Sequence, residues 1–445
     1  MGKNLKSLFN SLKMKKQLLF LLLLAPSVFL AAQASNDTFL EDLMNKQPDK
    51  FGDILKNAAD RRVQILYTKI DRDKNNKPTF TSYRFRVNAD EYFYPASTVK
   101  LPASLLALEK LNQLKIKGLT RQTPMLSDSA YEGQIKQFKD PTNLENGGLP
   151  TVEHYVKKIL LVSDNDAHNR LYEFMGQEPF NEILAAKGFK NMRVTHRLQT
   201  SMTREQNKRS NPISFQNVDN KPDEKDPEKV SLQRLYYQPM LVSTKDYKSP
   251  KPIGIGKGFM RRDSLIAEPF DFTYRNNYPI ETQQQILKTV LFPESVPATQ
   301  RFDLTEADYT FVRKYMSMSP LESKNPKYPD ADSAGSYDSY CKFLMFGDDK
   351  KPMPKNIRIF NKVGDAYGFL IDNAYIVDFE RGVEFMLIVT IYCNSDGVFN
   401  DDKYDYDAVG YPFMANIGKA IYNYEVNRKR RKKPDLSRFK FDYTK

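Results

Sequence analysis

The sequence predicts an α+β fold: an antiparallel sheet built from both chain ends, flanked by helices, with a helical lobe in the middle. Three observations carry this. Two β-rich runs stand near the start, RVQILYTKI at 62–70 and TFTSYRFRV at 79–87. Three more come late, at 356–363, 369–379 and 383–392. Between them, apolar residues recur mainly at helical spacing. Strands from the two ends pair most simply in one sheet, and the middle then packs as a lobe beside it.

Taken in order, 37–59 reads as a helix, and the two early strands form a hairpin around the turn-rich 71–78. Pro95-Ala96-Ser97 leads into a helix over 98–114, with Leu101, Leu105, Leu108 and Leu111 on one face. Pro102 is acceptable there because it lies in the first turn, where its missing N–H is not needed. The stretch 152–175 reads as two helices interrupted at Ser163-Asp164-Asn165. The segment 200–280 is rich in Asn, Lys, Asp, Pro and Gln with weak periodicity. It is expected to be a long insertion, ordered around 232–242 and 259–274. Helical patterning returns at 281–291 and 305–317, and a last helix spans about 407–424.

The chain has 445 residues, 40% of them hydrophobic and 12% aromatic, which is ample for a large core and excludes a disordered chain. No CxxC or HExxH occurs, so a zinc site or zincin chemistry is not indicated, and neither metal nor cofactor is expected. A His-based triad would have to use His154, His168 or His196. The two cysteines, Cys341 and Cys393, could pair in an oxidising compartment or stay buried as free thiols.

The net charge of +13 is concentrated at the ends. Residues 1–34 carry +5 and residues 428–445 carry +7, so the body between them is nearly neutral at +1. A groove for nucleic acid is therefore not indicated. Lysines up to Lys15-Lys16, an apolar run from Leu18 to Leu30 and Ala32-Gln33-Ala34 are the parts of a signal peptide over 1–34. The apolar run is shorter than the roughly 20 residues that span a bilayer. Export to the periplasm or medium is expected, with a mature start near Ser35 and one domain over 35–427. The segment 428–445 is expected to be a solvated basic tail, able to touch an anionic membrane surface.

Three short motifs carry chemistry. In Ser97-Thr98-Val99-Lys100 the i, i+3 spacing puts the lysine amine on the face of the serine hydroxyl. A lysine with a lowered pKa can then activate the nucleophile. Ser163-Asp164-Asn165 offers a hydroxyl to relay a proton and an amide to hold a carbonyl. Lys362-Val363-Gly364 ends a strand with a lysine for a carboxylate and a glycine that lets a ligand lie on the strand edge. Each alone is also what a first helical turn, a helix cap or a strand end contains.

Together, in this order, they resemble the penicillin-recognising serine enzymes, class A β-lactamases above all, with penicillin-binding proteins as relatives. The resemblance covers most of 36–426 outside the insertion and implies a β-lactamase/transpeptidase-like fold. It implies Ser97 as the acylated nucleophile, Lys100 as base or proton conduit, and Ser163 as proton shuttle to the leaving nitrogen. Asn165 would hold the substrate amide, and Lys362 and Gly364 would face the substrate carboxylate. The backbone N–H groups of Ser97 and Asp365 would form the oxyanion hole.

The sequence departs from that pattern twice. Val363 stands where a hydroxyl residue is usual, and losing a charge-assisted hydrogen bond costs about 1.5–3 kcal/mol. After Met192–Leu198, where the family's deacylating glutamate is expected, the sequence reads Gln199; Glu205 is the nearby substitute. The resemblance implies a serine hydrolase acting on a small-molecule β-lactam or a cell-wall peptide. Hydrolysis of a β-lactam amide comes first. A D,D-peptidase or other amidase or esterase on the same machinery, and a non-catalytic cell-wall-binding module, are the alternatives.

Overall fold

In the computed structural model, five strands form the central sheet: β1 (Gln64–Arg72), β2 (Pro78–Phe85), β3 (Ile357–Ala366), β4 (Phe369–Asp378) and β5 (Val383–Tyr392). The described residues are 38–219, 231–328 and 337–444; the signal-peptide reading of 1–34 lies outside them. The strand order is β3-β4-β5-β1-β2, antiparallel throughout. β1, from near the start, pairs with β5, from near the end, with Gln64 opposite Thr390 and Lys69 opposite Phe385. The expected sheet from both chain ends is thus present.

β4 is buried along its whole length because both faces of the sheet are covered, and its run FLIDNAYIVD is correspondingly rich in apolar residues. Alternation along β5 separates the two faces. Phe385, Leu387, Val389 and Ile391 pack with helices α1 (Phe39–Asn45) and α2 (Pro48–Lys56) and with the C-terminal helix, while Met386 joins the core of the helical lobe. The sequence reads 37–59 as one helix. Pro48 divides it, since proline starts α2 and cannot continue α1.

The lobe is built from α3 (Lys100–Leu114), α4 (Val152–Val162), α5 (Asn165–Met175), α6 (Gln177–Ala186), α7 (Ile280–Leu291) and α8 (Glu306–Ser317). The leucine stripe of α3 is buried as expected, but so are Ala103, Ser104, Leu106 and Ala107 on its other sides: this helix is the lobe's axis. Its buried Glu109 is matched by Lys187 at 2.9 Å. α6 follows α5 across Gly176 and was not anticipated from the sequence.

Within 200–280, the described residues 200–219 and 231–280 hold more strands than their composition suggests. Ile213–Asp219 pairs with Ser231–Gln238 and Met125–Ser127. A hairpin of Gly258–Arg261 and Ser264–Ile266 pairs in turn with Val398–Phe399. Short strands of this kind carry too few residues to show a period.

After α9 (Tyr411–Asn427), the basic segment does not behave as a solvated tail. Arg428 donates to Asp71 at 2.6 Å, to the Ile70 carbonyl at 2.7 Å and to buried Glu425 at 2.6 Å. Arg430 also pairs with Glu425. Leu436 and Phe439 are buried, the latter ring against Phe292, Phe360 and Tyr375. The expected charge run is there; alternate apolar anchors hold it to the body. Cys341 and Cys393 are both buried and free.

Candidate active site

Ser97 sits in a short 3-10 turn, Ala96–Val99, that runs directly into α3. The Thr98 N–H and hydroxyl both donate to the Pro95 carbonyl, at 3.0 and 2.7 Å, and close the turn. Ala96 has φ 45°, a left-handed conformation that costs a residue with a Cβ about 1–3 kcal/mol. Ser163 (φ 60°) and Gln199 (φ 52°) share this region, so the backbone is held in costly conformations around one spot. A Cβ on Gly364 of β3 would lie 2.7 Å from the Pro95 oxygen and 2.9 Å from the Ser97 nitrogen. The glycine expected to admit a ligand instead admits the turn that carries Ser97.

Lys100, the first residue of α3, is fully buried. Its ammonium donates to the Ser163 carbonyl, to Ser163 Oγ at 3.2 Å and to Asn165 Oδ1 at 2.6 Å. The spacing predicts a bond from Lys100 to Ser97. None is present among the described residues, because these three acceptors take all three ammonium protons. Ser97 Oγ is half-buried and without a hydrogen-bond partner among the described residues. Burial, with the charge of Lys362 added, drives the Lys100 amine well below the ordinary lysine range. Its proton is thereby easier to give up than that of an exposed lysine.

The α4–α5 break is fixed by its own residues. Ser163 ends α4 in the left-handed region, and the Asp164 carboxylate caps α5 by accepting from the Ala167 N–H at 2.7 Å. Lys362 on β3 donates to Ser163 Oγ at 2.8 Å and to the Val363 carbonyl at 2.9 Å. It is 3% exposed, and burial pulls its ammonium down to about 8. One hydroxyl oxygen therefore accepts from two lysines, which leaves its proton free to donate toward the adjoining cavity.

That cavity, of about 600 Å³, is lined by Ser97, Ser163, Asn165, Val363 and Asp365. Motifs 66 and 199 residues apart in the chain thus meet at one opening, with Lys100 and Lys362 beneath it. Residues 49–221, which contain the first two motifs, match the family model described as Beta-lactamase enzyme family. Over those residues the chain is similar to that family.

Among solved structures, the chain is similar to an ancestral (GNCA) class A beta-lactamase (14% identity, TM-score 0.45, 88% of this chain and 100% of that one). It is also similar to beta-lactamases from Xanthomonas campestris pv. campestris (14%, 0.44, 86% and 98%) and Sphaerobacter thermophilus (14%, 0.43, 87% and 96%). No curated protein matches it.

Two expectations for this site need correction. Glu205 does not line the cavity. It lies on the exposed turn Arg204–Asn207, where Lys208 and Arg209 bind its carboxylate at 3.2 and 3.3 Å. Gln199 does line the cavity and accepts a 2.7 Å bond from Asn165 Nδ2. Its loop is clamped by Asn169, which bonds both the N–H and the carbonyl of Leu198, at 2.8 and 3.0 Å. Lys362, expected to meet a substrate carboxylate directly, is covered and reaches the cavity through Ser163. None of the three histidines lines it.

The remaining lining residues include Tyr328, Tyr337, Tyr340, Tyr411, Cys341 and Phe343, which sequence reasoning missed. The clustered aromatics of YDSYCKF at 337–343 were the only signal, and no spacing rule ties such a cluster to a distant serine.

Proposed function

We propose that the protein is an exported serine acyl-transfer hydrolase that opens a β-lactam amide through a Ser97 acyl-enzyme. The observation that carries this reading is the convergence of Lys100 and Lys362 on Ser163 beside the Ser97 hydroxyl, which has no hydrogen bond among the described residues. In the reaction, Ser97 Oγ attacks the carbonyl and its proton passes to the amine of Lys100, directly or through Ser163. The C–N bond breaks, Ser163 delivers a proton to the leaving nitrogen, and Lys362 restores it. Backbone N–H groups of Ser97 and Asp365 meet the oxyanion, each such donor contributing about 3–4 kcal/mol in comparable sites. Asn165 orients the amide side chain of the substrate.

Deacylation is the slow step in this reading. Gln199 occupies the loop position beside Asn165, and an amide is a poor base for water. Of the two carboxylates on the cavity, Asp164 is committed to capping α5 and to Lys158 at 3.4 Å. That feature favours one second reading, a D,D-peptidase whose β-lactam adducts persist. Export rests on the N-terminal sequence pattern, and N-terminal sequencing of the secreted protein tests it.

The experiment is an intact-mass time course with a penicillin, alongside Ser97→Ala. A Ser97-dependent adduct supports acyl transfer; its persistence marks the peptidase-like reading, and fast drug turnover marks the β-lactamase. Turnover undiminished in Ser97→Ala would sink both.

A further inference from the structure

The side chains that a guest meets in the Ser97 cavity include four phenols, of Tyr328, Tyr337, Tyr340 and Tyr411, and two carboxylates, of Asp164 and Asp365. No lysine or arginine is among the described residues lining it; Lys100 and Lys362 lie underneath, turned to Ser163. Asp365 is exposed and has neither an ion pair nor a side-chain hydrogen bond among the described residues. Its charge acts on Tyr337, Tyr340 and Tyr411 alike, one of the causes that hold these phenols above their ordinary range. The buried Tyr328 hydroxyl has no hydrogen-bond partner among the described residues. The ring of Tyr337 already takes one cation, the Lys350 ammonium 5.3 Å from its centroid. At Val363, the wall lacks the hydroxyl that would hold an anionic group.

Aromatic faces around an unpaired carboxylate attract ammonium groups, and more strongly where water is partly excluded. We propose that the acyl donor accepted by this cavity carries a primary ammonium away from its reacting carbonyl, held by Asp365 and the rings of Tyr337, Tyr340 and Tyr411. This rests on the Ser97 acyl-enzyme reading for the position of the carbonyl. It adds the substrate class: a cationic amide or peptide.

Binding without chemistry provides the test. Ser97→Ala protein is titrated calorimetrically with Nα-acetyl-Lys-D-Ala-D-Ala and with the same peptide acetylated on its Nε atom, a pair differing only in the charged amine. The expected result is tighter binding of the charged peptide by about fivefold or more. Adding Asp365→Asn to the Ser97→Ala protein is expected to bring the two within about twofold. Equal affinities, no binding of either peptide, or a preference that survives Asp365→Asn overturns the proposal. In parallel, acylation of the unmodified protein by ampicillin, benzylpenicillin and carbenicillin is followed by mass. The expected order is ammonium, neutral, carboxylate. Failure of all three to form an adduct overturns the acyl-enzyme reading, whereas equal rates overturn only the ammonium preference.

Discussion

Asn165 and Gln199 are joined by a 2.7 Å hydrogen bond from Asn165 Nδ2 to Gln199 Oε1. Because the other end of the same amide accepts from Lys100 at 2.6 Å, the bond fixes which way Asn165 points. Gln199 thus serves as a positioning group for the Asn165 amide on the cavity wall.

Gln199→Glu keeps an acceptor for Asn165 and supplies a base where none stands. General-base assistance is worth roughly 10²–10⁴-fold. A shortening of the Ser97 adduct lifetime by at least about tenfold is expected, read by intact mass after removal of free drug. Stability should change little, since glutamine and glutamate meet the same left-handed backbone at this position.

Val363 is 2% exposed and belongs both to the cavity wall and to the core beneath it. Val363→Thr should speed acylation by carboxylate-bearing penicillins about tenfold, by the worth of one charge-assisted hydrogen bond. It should also lower stability by about 1–3 kcal/mol, through burial of a hydroxyl in apolar surroundings. Acylation kinetics and urea unfolding of one sample check both halves.

The pH dependence follows from Lys362, held down to about 8 from 10.5. Its charged form donates to Ser163, so acylation should decline as pH rises through about 8, and Lys362→Met should remove that limb. For stability the sign is opposite. Between about 8 and 10.5 the folded protein binds fewer protons at this site than the unfolded chain, so this group's contribution grows as pH climbs through that window. Lys342, buried and also lowered to about 8, adds in the same direction. Denaturant midpoints at pH 7.5 and 9.5 read the difference.

Phe439 is the anchor of the C-terminal segment, with ring contacts to Tyr375 at 4.9 Å and Phe360 at 5.5 Å. Phe439→Ala should cost about 3–5 kcal/mol, an effect a solvated tail would not show. Truncation after Asn427 should cost more, because Arg428 leaves Asp71 and the buried Glu425 carboxylate with it. Thermal unfolding of the two variants decides this.

The sequence alone determined the sheet and its helical lobe, because strands covered on both faces and long helices leave periods readable in a single chain. It also determined Ser97, Lys100, Ser163, Asn165 and Lys362 as one set, since each motif is local and their order is distinctive. Only the tertiary structure decided what each of these groups touches. That Lys100 turns from Ser97 to Ser163 and Asn165, that Gly364 makes room for the Pro95–Ser97 turn, and that Glu205 pairs with Lys208 outside the cavity all depend on competition among partners distant in sequence. The same holds for the wall of Tyr328, Tyr337, Tyr340 and Tyr411, and for the C-terminal segment. There, charge dominates the composition, while two buried side chains, Leu436 and Phe439, decide where the chain lies.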